Sequence, residues 1–266
     1  MSETNHATPH TPPHAPAGAD EATMSTPETL SGIFFEPGRT FEALRARPRF
    51  LVAGLVAVAV FMAFYLTYFQ RVGYDEIIDS EIAVARKANP DMKDEQAEAG
   101  ARIQKGPVVK AIRMASPVLG FAIVFAAGAG LYLLGASLMG GALSYKQALA
   151  VWTYSSMPPL VLMTLLNFVL LFLSPPEDAA EIVQGSQRGL VRANVGALID
   201  GSAHPVLATA LGSLDILALY GLFLAALGLR KVGRLKSGSA WAIVLTLWGI
   251  GIIARLVLAA VTGRAM

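Results

Sequence analysis

The sequence predicts an all-α, polytopic membrane protein: a five-helix transmembrane bundle with short extramembrane helices. Of its 266 residues 54% are hydrophobic and only 15% charged. Five apolar runs approach or exceed the roughly 20 residues needed to cross a bilayer, more than a soluble globule of this length requires. Asp215 and Arg255 are the only charged residues inside those runs. A charge at membrane depth is costly and normally faces a partner or a cavity, so the predicted bundle has a polar interior. The formal charge of +2 is too small to suggest nucleic acid. With Cys 0, disulfides, thiolate metal sites and cysteine nucleophiles are excluded. The abundance of Ala, Gly and Arg has a bacterial character.

Residues 1–29 are rich in Pro, Thr, Ser and Ala and offer almost no large apolar side chains, which predicts a disordered cytoplasmic tail. They lack the basic start and apolar centre of a secretory signal, so the first span is expected to direct insertion. His6, His10 and His14 would align on a helix as metal ligands, but Pro9, Pro12, Pro13 and Pro16 forbid that helix. From Leu30 the chain reads LSGIFFEPGRTFEALRARPRF. A short interfacial helix from about Arg39 would place Phe41 and Leu44 near the lipid boundary and Arg45, Arg47 and Arg49 on head groups. The alternative is a plain basic flank to the first span.

That first span is 50–69, closed by the aromatic edge Tyr65, Tyr68 and Phe69. Residues 70–116 form a polar loop whose eight basic and eight acidic residues cancel. Ile77, Ile78, Ile82 and Val84 lie in its first helical stretch, and Pro90 separates a second, so the loop reads as a solvated helical hairpin or a cap on the bundle. The second span, 117–139, repeats Ala122, Ala126 and Gly130 at four-residue intervals and reads as a close-packing stripe rather than a permeation path. The third, 148–173, contains Pro158 and Pro159, which predict a kink with unpaired carbonyls near Ser155 and Ser156.

Polar residues 174–204, with Glu177, Asp178 and Glu181, are placed outside the membrane. The fourth span is 205–229, the turn 230–239 carries Arg230, Lys231, Arg234 and Lys236, which are expected at the membrane surface, and the fifth span is 240–261. Five spans put the termini on opposite sides. The positive-inside rule then puts the N-terminus, the flank at Arg45, Arg47 and Arg49 and the basic turn in the cytoplasm, with the 70–116 loop outside it. At ~1.5 Å per residue Asp215 and Arg255 lie about 20 and about 24 Å from the cytoplasmic helix ends. Their similar depth favours an intramembrane charge pair, since each left alone costs ~2.5 to 3.5 kcal/mol; the alternative is that Arg255 snorkels to the outer head groups and Asp215 is protonated or bonded to Ser or Tyr elsewhere.

No HExxH occurs, and the only histidine outside the tail is His204, at a membrane edge. A metalloprotease or a serine protease therefore lacks its parts, and no cofactor or metal is expected. What remains is a membrane scaffold or adaptor, not an enzyme. Its expected partners are the lipid bilayer and proteins at the cytoplasmic face, with no nucleic acid. The alternative is a small transporter or channel component using Asp215 and Arg255.

IFFEPGRTFEALRARPRF before the first span, YKQALAVWTYSSMPPL entering the third, and SLDILALYGLFLAALGLRKVGRLKSGSAWAIVLTLWG across the last two resemble the Yip1-domain membrane proteins, in particular their bacterial members. The resemblance covers roughly residues 30–261. It implies a five-span integral membrane protein with a cytoplasmic N-terminus. Eukaryotic relatives act in vesicle traffic with Rab-type GTPases. That role is not expected to carry over simply, because the His/Pro-rich tail is unlike the eukaryotic cytosolic domain and a bacterial host would have no Rab. By matching position, Asp215 corresponds to the acidic residue of the family's fourth-helix pattern and Pro158 to its third-helix proline.

Overall fold

Five helices are long and apolar enough to cross a membrane. The structure, a computed structural model, describes residues 24–176, 191, 194–199, 201 and 203–263. Most of the expected tail, and Glu177, Asp178 and Glu181, lie outside the described residues. In chain order the helices are α1 (Thr26–Phe35), α2 (Pro37–Ala46), α3 (Leu51–Val72), α4 (Tyr74–Ala88), α5 (Asp94–Lys105), α6 (Pro107–Leu138), α7 (Tyr145–Leu173), α8 (Pro205–Gly212), α9 (Ile216–Gly233) and α10 (Ser237–Thr262). A single 3₁₀ turn, Val195–Leu198, precedes α8. Among the described residues the only β pairing is an isolated bridge between Asn194 and Asp215.

Helix α7 is the hub, packed against α3, α6 and α9, while α9 also carries α2 and α10. Burial follows that arrangement: 39% of the most apolar window of α9 is buried, against 17% for α3, α6 and α10. The three flanking helices therefore give most of their surface to lipid. Exposed Leu55, Leu119, Ile123, Leu134 and Ile253 form that outer belt.

The N-terminal boundary differs from the expected one. Residues 26–29 belong to α1, because Ser25 and Glu28 form a capping box: the Glu28 amide donates to Ser25 Oγ (3.4 Å) and the Ser25 amide to Glu28 Oε2 (2.6 Å). The same bonds hold the Glu28 carboxyl below its ordinary range. Helix α2 is present, but Phe41 and Leu44 do not face lipid as expected. Both are fully buried in the main core with Ile33, Val151, Tyr154, Leu224 and Leu229. A complementary surface on α7 and α9 covers them better than acyl chains can, since packing density rather than hydrophobicity decides between protein and lipid neighbours.

The second span also begins earlier than expected, since α6 runs unbroken from Pro107 with Pro117 inside it. Pro117 cannot donate to the Arg113 carbonyl. Tyr65 Oη (3.1 Å) and Ser116 Oγ (3.0 Å) donate to it instead, so the helix continues through the proline. The extra turns of α6 join α4 and α5 in a cap on this end of the bundle. Ile77 and Ile78 are buried there against Tyr68, Phe69, Val72 and Leu171. Glu81 with Arg113, Asp79 with Lys105 (2.7 Å) and Asp94 with Arg86 (2.8 Å) tie the cap together. The expected single fourth span is two helices, α8 and α9, interrupted at residues 213–215.

Candidate functional site

The interruption is built by Asp215. Its Oδ1 accepts hydrogen bonds from the amides of Leu217 (2.8 Å) and Ala218 (3.2 Å), making it the N-cap of α9. A carboxylate there satisfies two otherwise orphaned donors and meets the positive end of the helix dipole. The α8 side is closed by Ser213, whose Oγ donates to the Thr209 carbonyl at 2.9 Å. Residues 194–199 lie against this break. A Cβ on Gly196 would come within 2.5 Å of the Ala208 carbonyl oxygen and 2.6 Å of the Gly212 nitrogen, so glycine is required for that close approach. Nearby on α7, buried Asn167 accepts from the Val191 amide at 3.0 Å.

The expected pairing of Asp215 with Arg255 is not formed among the described residues. Asp215 is buried, 4% exposed, and is compensated by its own helix, whereas Arg255 is exposed on α10. A long Arg stem can carry its charge along an apolar surface toward head groups, which removes the need for a buried partner. Asp215→Asn should therefore leave the solubilised protein within ~0.5 kcal/mol of wild type, because Asn caps as well as Asp, while Asp215→Ala should cost about 1–2 kcal/mol. Thermal unfolding in detergent measures both. An Asn variant as damaged as the Ala variant would show that the charge, not the cap, is needed.

Pro158 and Pro159 lie inside a continuous α7. They deprive the Tyr154 and Ser155 carbonyls of their usual i+4 amide donors. Gly221 of α9 comes down on this point: its Cβ would meet Pro159 Cγ at 3.3 Å and the Ser155 oxygen at 3.7 Å. The proline pair thus marks the close crossing of the two central helices.

A second concentration of polar groups lies at the end of the bundle where α2, the α6–α7 turn and the α9–α10 turn meet. Gln147 Nε2 donates to the Arg45 carbonyl at 2.8 Å. The Ala142 amide donates to the Gly233 carbonyl at 3.2 Å, which stitches one turn to the other. A Cβ on Gly141 would lie 2.7 Å from Leu235 Cδ2, so the turns interlock closely. Lys231 pairs with Glu42 across α2 and α9. Arg49 Nη1 donates to the Met24 carbonyl (3.3 Å) and to Thr26 Oγ1 (3.2 Å), and Tyr154 Oη donates to Thr29 Oγ1 at 3.3 Å.

The basic residues read from the sequence therefore divide. Arg49 and Lys231 are structural ties and Arg45 is half-buried, while Arg47, Arg230, Arg234 and Lys236 stand exposed on the same face. Arg234 has φ 54°, the one non-glycine residue at positive φ among those described. That conformation costs an L-residue roughly 1–2 kcal/mol. Sequence reasoning missed Glu42, Gln147, Thr29 and Tyr154. Only the Ser-x-x-Glu pattern at Ser25 could have announced the docked α1 that brings Thr29 to Tyr154.

Among the described residues no three His, Asp or Glu side chains converge to hold a metal ion. The chain matches the Yip1 domain over residues 31–258, from inside α1 into the last turns of α10. No curated protein and no solved structure matches it. The match takes in half of α1, all of α2, four candidate spans including the interrupted fourth, and the fifth but for its last turn, and on that extent the chain belongs to the Yip1 domain family of membrane proteins.

Proposed function

We propose that the protein is a non-enzymatic membrane scaffold or adaptor of the bacterial inner membrane. It presents to the cytoplasm the face made by the outer ends of α1 and α2 and the two interlocked turns. The observation that carries this reading is the contrast between how that face is held and what it leaves free. Gln147, Lys231, Glu42 and Arg49 are consumed in fixing α1 and α2 to the bundle, and Arg47, Arg230, Arg234 and Lys236 remain exposed. A preorganised face with undirected positive charge suits recognition of an acidic protein surface, because the partner does not have to order it on binding. Arg234, at φ 54°, is the left-handed cap that ends α9 and opens the basic turn.

The interrupted fourth span supports a second reading, a small transporter or channel component. Broken helices with buried carboxylates line substrate sites in transporters, and Asp215 sits at such a break. Against it, the Asp215 oxygen is already engaged by two amides of its own helix. Affinity purification of the full chain from mild detergent, followed by mass spectrometry, separates the two. A stoichiometric protein partner lost in a quadruple substitution of Arg47, Arg230, Arg234 and Lys236 to Gln supports the adaptor. A retained ion or small molecule lost in Asp215→Asn, with no protein partner, replaces it with transport.

A further inference from the structure

The contacts of α2 fix how α1 and α2 sit relative to the bilayer. Phe41 and Val151 both meet Gly228, and Glu42 pairs with Lys231, so residue numbers rise together along α2 and α9. Against α7 they run in opposite senses, with the Arg45 carbonyl at Gln147 and Phe41 at the level of Val151. Helix α2 therefore starts inside the bundle and ends at its surface. Helix α1 runs back alongside it: Met24 and Thr26 are at Arg49, and Thr29 is at Tyr154, two turns along α7 from Gln147.

The depth of the turn between α1 and α2 follows from α3. A Cβ on Gly54 would lie 3.8 Å from Thr153 Cγ2, which sets Leu51, one turn earlier, level with Ala150 and Val151. Leu51 and Leu55 are 66% and 67% exposed, so the lipid-facing belt has already begun at that level. Pro37 precedes Phe41 by one helical turn, which puts the residue 35–37 turn ~6 Å deeper than Val151. At that turn Phe35 is 85% exposed, with Phe34 beside it at 6.5 Å between ring centroids. Glu36 and Arg39 compensate each other there at 3.2 Å, and their stems are long enough to carry the charges back toward the head groups.

We infer that α1 and α2 form a re-entrant hairpin that penetrates one leaflet, the one on the side of the residue 234–236 turn, and that Phe35 contacts the acyl chains there. The hairpin buries Ile33, Phe41 and Leu44 against α7 and α9, and its outer aromatic edge continues the lipid belt of the spans. A turn ~6 Å below a level at which the lipid-facing belt has already begun lies at acyl-chain depth.

The cysteine-free chain allows a direct test. Single cysteines at Phe35, Gly38 and Arg47, labelled with an environment-sensitive fluorophore, are to be compared in the full-length protein in phosphatidylcholine vesicles. Gly38 serves as the second probe of the turn because nothing lies within 4 Å of its Cβ position, so the substitution does not disturb packing. A lipid carrying a nitroxide near the top of its acyl chain should quench the labels at 35 and 38 at least about twofold more than at 47, with the reverse order for aqueous iodide. Equal iodide quenching at all three positions, with no lipid quenching at 35 or 38, would place the hairpin in water and overturn the inference.

Discussion

Gly128→Ala is expected to destabilise the solubilised protein by about 3 kcal/mol, and Gly128→Val to leave little folded material. A Cβ at residue 128 would lie 2.2, 2.3 and 2.4 Å from three atoms of the Trp152 ring. That ring is wedged between α6 and α7, edge-to-face with Tyr132 at 4.8 Å, and a rigid ring relieves overlap only by moving a helix. Gly120 is the control on the same helix. Nothing lies within 4 Å of its Cβ position, so Gly120→Ala should be stabilising by ~0.5–1 kcal/mol through helix propensity alone. Trp152→Leu should rescue Gly128→Ala, because Trp152 Nε1 makes no hydrogen bond among the described residues and the loss is one of packing. Thermal unfolding of the wild type, the two single variants Gly128→Ala and Trp152→Leu and the double variant closes the cycle; strictly additive losses would show that the ring is not what excludes the methyl group.

Phe41→Ala should cost about 3–4 kcal/mol of α2 docking, whereas Phe35→Ala should change detergent stability by less than ~0.5 kcal/mol. The two phenylalanines sit on one hairpin with opposite surroundings. Phe41 is 0% exposed and its ring fills the space that Gly228 leaves open, while Phe35 is 85% exposed. Limited proteolysis at Arg45 reports the difference, because cleavage of a half-buried site follows the population of the undocked hairpin. A loss of ~3 kcal/mol corresponds to roughly hundredfold faster cleavage in Phe41→Ala, against little change in Phe35→Ala. Equal rates in the two variants would mean that α2 is held by its polar ties and not by its core.

These contrasts mark where the sequence was readable. The spans announce themselves by length and apolarity, a constraint the bilayer applies locally, and five helices have that length and apolarity, although the expected fourth is broken at residues 213–215. Pro117 looked like a span start because proline favours the first turn of a helix. The Arg113 carbonyl it orphans is met by Ser116 locally and by Tyr65 from 48 residues away, and no local pattern records the second contact. Asp215 was legible as important and illegible in role: as a charge in an apolar run it demanded a partner, and the partner is the backbone of the next two residues but one. In a water-soluble chain the same Asp before Ile-Leu-Ala would have been read as a cap. Phe41 and Leu44 were placed on lipid because sequence distinguishes apolar from polar but does not distinguish two apolar surroundings.

The claim that the α1, α2 and turn face is where this protein meets its partners can be tested in intact cells by photocrosslinking from single positions. The probes belong at Arg47 and Lys236, which are exposed on that face, and at Glu95, which is exposed on the opposite cap. Discrete protein adducts from 47 and 236, and none from 95, are the predicted result. Adducts from 95 with none from 47 or 236 would contradict it and move the functional surface to the other side of the membrane.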